Sequence, residues 1–294
     1  MKILSDFDGV LTNLDSEAAR VAEIFRNNLT TFAGASGHHV MGLMEQVEQE
    51  MHRFPHSHGW RVLDRITAFC NEDGFIRVNA LAACLDDWSS HREEVSTLQK
   101  DLQIKGFRDF KALAQNAYET MVAETAAGKQ HPIDDRTQVV LQALIDKGAE
   151  VVVVSNSGTE RILQLLNGAG LNAVPHGAGT GPLRVRGNAR KFLLGDSPRT
   201  FPVGPYLVDT HRPSYEAILR EEKPDVVIGD VFSLDLALPL HLAASGDKDF
   251  QKLQVVLRKR AYSPDWSLEH LTHGLGREVT GGIFDRLDQL LELV

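Results

Sequence analysis

The chain has 294 residues, 43% of them hydrophobic, and its 31 Lys and Arg stand against 40 Asp and Glu for a formal net charge of −9. Such a length can bury a sizeable core in one large or two modest domains. The acidic balance argues against a general affinity for nucleic acid or for an anionic membrane, since either needs a basic surface. The N-terminus lacks the basic, apolar and small-residue segments of a signal peptide and no apolar run is long enough to span a bilayer, so the expected compartment is the cytoplasm.

The first element lies in "KILSDFDGVLTN" (2–13), where Ile3 and Leu4 make a short apolar strand that runs into Asp6 and Asp8. Residues two apart in a strand share a face, so two carboxylates are expected together, and Gly9 lets the chain turn after them. From 15 to about 130 the texture is helical, with apolar stripes such as Val21, Phe25 and Phe32, then Leu63, Ile66 and Cys70, then Phe107, Phe110, Leu113, Ala117 and Met121. The pattern predicts an all-helical insert, with "AAGKQHPID" (126–134) as the return linker. Cys70 and Cys84 lack any metal spacing and are expected as reduced core residues, a disulfide between them being unsupported. His38, His39, His52, His56 and His58 crowd one part of the insert, but Pro55 interrupts any helix there and no thiol or carboxylate set completes a zinc site, so a solvated cluster is expected.

Beyond the insert, a helix over 137–147 closed by Gly148 leads to a second strand, Val151–Val154, which ends in Ser155 and Asn156, and a helix over 160–167 follows. "HGAGTGP" (176–182) misses the GxGxxG spacing of a dinucleotide loop and is expected as a plain loop. The long stretch from Gly170 to Arg212 is expected to hold a β-hairpin whose exposed face carries Arg184, Arg186, Arg190 and Lys191; "RKR" at 258–260 is also expected on an exposed face. Pro213 and Ser214 start a helix that runs through Leu219, and Val226–Ile228 make a third strand ending in "GDVFSLD", with Asp230 and Asp235.

Short apolar strands alternating with helices predict an α/β domain with a parallel sheet. In such sheets ligands bind beyond the carboxyl ends of the strands, where all three polar clusters fall. Asp6, Asp8, Asp230 and Asp235 gathered there are hard to keep ionised without a cation, and Mg²⁺, a hard ion that uses few protein carboxylates, suits them. Ser155 and Asn156, just before a helix that starts near Thr159, offer a hydroxyl and main-chain amides to an anion.

With these segments in view, the chain resembles the haloacid dehalogenase (HAD) superfamily in its Mg²⁺-dependent phosphatase branch. "DFDGVLT" resembles the family's first motif, "VVVVSN" its second and "VVIGDVFSLD" its fourth, in family order across nearly the whole chain, and the insert matches a cap domain in position. The resemblance implies a Rossmann-like core formed by 1–14 and 131–294, with an all-helical cap at 15–130. It implies phosphomonoester hydrolysis through an aspartyl-phosphate on Asp6, with Asp8 as general acid and then base, and Ser155 hydrogen-bonded to the phosphoryl group. Asp6, Asp230 and the backbone carbonyl of Asp8 would hold Mg²⁺, and Asp235 would orient the metal or the cationic residue. Arg212, at the start of the helix before the fourth-motif strand, is favoured as the third-motif cation, with Lys191 of "RGNARKFLL" as its competitor. A phosphomutase using the same intermediate and a phosphate-ligand-binding protein without turnover are the alternatives. Dehalogenation is disfavoured, because halide displacement has no use for the acid Asp8. The expected partner is a small phosphorylated metabolite, with the insert as a lid over it; no nucleic acid or membrane is expected, and oligomeric state is not legible.

Overall fold

The computed structural model describes residues 1–34, 37–128, 133, 136–179, 181–275 and 280–294. The chain divides into two units, Met1–Leu14 with His131–Val294, and Asp15–Gln130. Strand β1 (Lys2–Ser5) opens the first unit. The second unit then contains α1 (Asp15–Phe32), α2 (Gly37–Arg53), β2 (Gly59–Val62), β3 (Arg65–Phe69), α3 (Gly74–Ser89), α4 (Glu93–Ile104) and α5 (Phe110–Gly128). The first unit resumes with α6 (Thr137–Asp146), β4 (Glu150–Val154), α7 (Thr159–Gly168), β5 (Val174–Pro175), β6 (Leu183–Arg186), β7 (Thr200–Val203), β8 (Tyr206–Asp209), α8 (Pro213–Glu222), β9 (Val226–Gly229), α9 (Ala237–Ala244), β10 (Gln254–Arg258), α10 (Asp265–Glu269) and β11 (Thr280–Phe284).

Seven strands make one sheet in the order β11-β10-β9-β1-β4-β6-β5, and every pairing in it is parallel. This is a Rossmann-like, doubly wound sheet. Its central strands are apolar without alternation because helices cover both faces, and Ile3, Leu4, Val151–Val154 and Val226–Ile228 are all buried. One face packs Ile3, Val151, Val153 and Ile228 against Val140, Leu141 and Leu144 of α6 and Ile162 and Leu166 of α7. β1 lies between β4 and β9, with Ser5 in register with Val153 on one side and Ile228 on the other. Strand order reverses around β1, so the carboxyl ends of β1, β4 and β9 open on one crevice.

One expectation for the strands of this unit needs correcting. Residues 183–186 are not an exposed hairpin face but β6, a strand of the main sheet. Its Arg184 and Arg186 pair with Glu222, whose side chain is buried. The hairpin lies further on, as β7–β8. β10 and β11 were missed: "QVVLR" runs straight into a charge cluster, and Gly281 and Gly282 dilute the pattern of β11.

The second unit buries a core of its own, in which Phe25, Leu29, Val47, Leu81, Leu102, Phe110 and Leu113 pack together. It is helical except for the β2–β3 hairpin, which the expected Leu63, Ile66, Cys70 stripe conceals. Leu63 and Asp64 both have positive φ, +51° and +58°, as a two-residue hairpin turn requires, and Leu63 points to solvent. Apolar residues at positions 63, 66 and 70 imitate a helical stripe while the β-branched Ile66 and Thr67 build a strand. Cys70 and Cys84 are buried free thiols, and burial pushes them up to about 11 and about 12. His39, His52 and His56 are exposed. The side chain of His38 lies outside the described residues, as does the expected return linker except for Ile133 and the end of α5. No helix among the described residues is long and apolar enough to cross a membrane.

Leu166 is fully buried on α7, the helix whose first turn borders the crevice. Leu166→Ala should cost about 2–5 kcal/mol of stability, read as a lower urea midpoint at unchanged slope.

Candidate functional site

The β1 ladder continues one residue past the strand, with the amide of Asp6 donating to the carbonyl of Ile228 at 2.9 Å. Asp6 therefore leaves the sheet between β4 and β9. The chain then turns: Leu11 N donates to Phe7 O at 2.9 Å, and Gly9 N donates to Thr12 Oγ1 at 3.1 Å. Gly9 has φ +82°, and a Cβ there would lie 2.0 Å from Asp230 Oδ2, so both the backbone and the packing require glycine. Because the turn begins at once, Asp6 and Asp8 do not extend a common strand face. They acquire different partners.

Asp6 meets a lysine. Lys191 Nζ lies 2.6 Å from Asp6 Oδ1 and 2.5 Å from Asp235 Oδ1, and all three side chains are buried. Lys191 is held through its main chain, where its amide donates to Asn156 Oδ1 at 2.7 Å and its carbonyl accepts from Arg212 Nη1 at 2.6 Å. The loop before it is tied to the end of β4, with Ala189 N donating to Ser155 O and Asn188 N to Ser157 O. Asn188 and Arg190 take positive φ to keep this path. The expectation that Arg212 is the cation beside the carboxylates therefore does not match the geometry. Arg212 does cap α8 as expected, but its guanidinium is buried against the carbonyl of Lys191, and the ammonium of Lys191 reaches the carboxylates.

β9 delivers Asp230 one residue beyond its end, and a π-helical turn, Phe232–Leu236, returns Asp235 to the same place. Asp235 Oδ2 accepts from Val231 N at 3.1 Å, and its carbonyl accepts from Tyr215 Oη at 2.9 Å. The side chain of Asp235 fills the space where a Cβ on Gly229 would sit, at 2.2 Å. Ligand oxygens of Asp6, Asp230 and Asp235 all lie within 4.8 Å of one another, and all three residues are buried. One lysine does not balance three carboxylates. Burial pushes the Asp6 carboxyl up to about 8; Lys191 opposes this, while Asp235 and Asp8 add to it. Burial also works against the charge on Lys191, but Asp235 and Asp6 overcome it and hold the ammonium above the usual lysine range. A buried set of three carboxylates that offers only oxygen atoms fits a hard divalent cation such as Mg²⁺.

Asp8 faces the end of β4. Its Oδ2 accepts from Ser157 Oγ at 2.6 Å and from Ser155 Oγ at 3.1 Å, and its Oδ1 accepts from Arg161 Nη1 at 3.1 Å. Ser155 also accepts from the amide of Ser157 at 3.0 Å. Ser157 and Arg161 were not singled out from the sequence. The available signal was their place in the loop and first turn after the second strand, four residues apart as neighbours on a helix would be.

No family model matches the chain, and no curated protein does. Solved structures similar to it include one described as a HAD-hydrolase, YfnB from Bacillus subtilis, bound to magnesium. It has 11% identity, covers 99% of this chain and 97% of its own, and has a TM-score of 0.43. A 2-haloacid dehalogenase from Pseudomonas syringae pv. Tomato has 15% identity over 99% and 96% of the two chains, with a TM-score of 0.42. A protein described as a beta-phosphoglucomutase from Thermotoga maritima has 12% identity over 100% and 99%, with a TM-score of 0.43. At these identities and scores none of them assigns a function to this chain.

The raised Asp6 carboxyl yields a test of cation binding. Because burial raises it to about 8, the Asp6 carboxyl holds its proton to higher pH than an ordinary carboxyl, whereas a divalent cation takes the carboxylate. Adding Mg²⁺ at pH 7 should therefore release protons, and the release should fade as the pH rises past about 9. Calorimetry in buffers of different ionisation heat measures it, and Asp6→Asn should remove it.

Proposed function

We propose that the chain is a HAD-type, Mg²⁺-dependent phosphomonoester hydrolase that works through an aspartyl-phosphate on Asp6 and acts on a small phosphorylated metabolite. The observation that carries this reading is the position of Asp6, at the tip of the central strand of a parallel sheet, with Lys191 bridging it to Asp235 and with Asp230 completing a buried carboxylate set. When bound, Mg²⁺ would be held by Asp6, Asp230 and the Asp8 carbonyl, and would supply positive charge to the phosphoryl oxygens.

The chain's own groups then have distinct tasks. Lys191 keeps positive charge beside Asp6, which favours its carboxylate form and shields an approaching phosphoryl anion from its charge. Asp6 attacks phosphorus as the bond to the leaving oxygen breaks, and Asp8 gives that oxygen a proton. In the second step Asp8 takes a proton from water as the water attacks phosphorus; inorganic phosphate leaves and the Asp6 carboxylate is restored. Ser155, Ser157 and Arg161 now serve Asp8, and an arriving phosphoryl group, itself an anion, competes for the same donors. That exchange turns Asp8 away from them toward the leaving oxygen. A proton donor has a use only where the leaving atom is oxygen, which favours phosphate esters over alkyl halides.

Hydrolysis of para-nitrophenyl phosphate should depend on Mg²⁺ and should be lost in Asp6→Asn without loss of the fold. Asp8→Asn should slow turnover by roughly 10²- to 10⁴-fold, most severely with poor leaving groups. Lys191→Ala should lower kcat/KM more than Arg212→Ala at equal folded fraction, because the ammonium of Lys191 lies 2.6 Å from the nucleophile Asp6. Substantial turnover by a clean Asp6→Asn preparation would sink the assignment.

A further inference from the structure

Of the charge cluster at 258–260, expected on an exposed face, Lys259 is exposed, whereas Arg258 and Arg260 turn inward. Arg258 is buried and donates to the main-chain carbonyls of Phe284 and Asp285, beside the pairing of β10 with β11. Lys259 N donates to Phe284 O at 2.9 Å and Arg260 N to Ser263 Oγ at 2.9 Å, so the segment leaving β10 is fixed at both edges. From it, two side chains reach the candidate site. Arg260 Nε donates to the carbonyl of Gly9, and its Nη2 donates to those of Val10 at 3.4 Å and Thr12 at 2.8 Å. Tyr262 Oη donates to Asp230 Oδ2 at 2.6 Å and lies 2.7 Å from the place of a Cβ on Gly9.

We propose that Arg260 and Tyr262 are positioning residues that clamp the turn after β1 to Asp230 and thereby set the affinity of the carboxylate site for its cation. The inference rests on reading Asp6 and Asp230 as cation ligands. Its physical basis is that the two ligands come from separate strands, β1 and β9, and that the chain beyond β1 turns within a few residues. Arg260 holds three carbonyls of that turn with one rigid guanidinium, a fork that lysine cannot reproduce. Tyr262 fixes the orientation of the Asp230 carboxylate, whose last side-chain torsion is otherwise soft. A neutral phenol does this without bringing a second positive charge to compete with the bound ion. Outer partners of this kind are worth roughly 10- to 100-fold in metal affinity. The site thus contains a cation, Lys191, that offsets part of its charge, and a separate clamp that sets its shape.

The test uses the full chain with Mn²⁺ as the probe, its binding read by electron paramagnetic resonance and thermal unfolding recorded in parallel. Tyr262→Phe removes one hydroxyl and should weaken Mn²⁺ binding by about 10- to 100-fold while the unfolding temperature without metal stays near that of the wild type. Arg260→Lys, which keeps the charge and loses the fork, should also weaken it. In assays with para-nitrophenyl phosphate, Tyr262→Phe should raise the Mg²⁺ concentration needed for half activation and recover most of kcat at saturating Mg²⁺. Wild-type affinity in both variants, alongside loss of binding in Asp230→Asn, would overturn the clamp and leave the cation site standing. Failure of the wild type to bind Mn²⁺ would instead overturn the cation reading, and the clamp with it.

Discussion

Every feature of the candidate site is arranged around one interaction, the buried ammonium of Lys191 between the carboxylates of Asp6 and Asp235. Buried charges cost several kcal/mol each unless paired and hydrogen-bonded, and removing one partner leaves the others uncompensated. An arrangement of this kind persists only if the main chain that carries it is rigid. Asn156 and Arg212 hold Lys191 by its amide and carbonyl, Asp235 is pinned by Val231 N, and Asp6 remains in the β1 ladder. Arg212 is buried and uses its guanidinium to hold the carbonyl of Lys191.

The parallel sheet supplies the rest of that rigidity. β1, β4 and β9 are in register, so their carboxyl ends finish at one level, and the loops beyond them carry Asp6, Ser155 and Asp230. Close packing then sets the spacing between these loops. Gly9 and Gly229 leave room for Asp230 and Asp235 that a side chain would fill, and Gly187 does the same where the loop toward Lys191 passes the first turn of α7.

What could be read in the sequence follows from this geometry. Val151–Val154 and Val226–Ile228 are fully buried parallel strands and therefore unbroken apolar runs, Ser155 and Asp230 are the first polar side chains beyond them, and Asp6 follows Ser5 at the end of the shorter run Ile3–Leu4. The spacing of residues along the chain was enough to find them. Lys191 stands three residues past a Gly-Asn pair in a loop whose path depends on bonds to Ser155 and Ser157, and nothing local distinguishes it from Arg190. Arg212 was favoured because a helix start is legible and the reach of a side chain from it is not. The β2–β3 hairpin is concealed by spacing that suits a helix, and its turn depends on positive φ at Leu63 and Asp64, residues that do not announce it. Arg260 acts across 248 residues of chain to Thr12 and Tyr262 across 32 to Asp230, distances at which spacing carries no information.

Asp6 and Asp8 stand two residues apart, and the proposed chemistry asks them for opposite things. The nucleophile must shed its proton and face phosphorus, while its neighbour must carry a proton at the right moment. In pairs of like groups, differences of surroundings make such a division possible. Here Asp6 is buried beside an ammonium within a carboxylate set suited to a cation, so that any positive charge brought there favours its ionised form. Asp8 sits outside that set, half-buried, and its partners are two hydroxyls and one guanidinium on the β4–α7 segment. Hydroxyls can donate or accept, so Ser155 and Ser157 can accompany either protonation state of Asp8, whereas Lys191 cannot do the same for Asp6. The turn that begins at Phe7 is what separates the two environments. Had the strand continued through Asp8, both carboxylates would share one face and one set of partners, and the division of roles would have no structural basis.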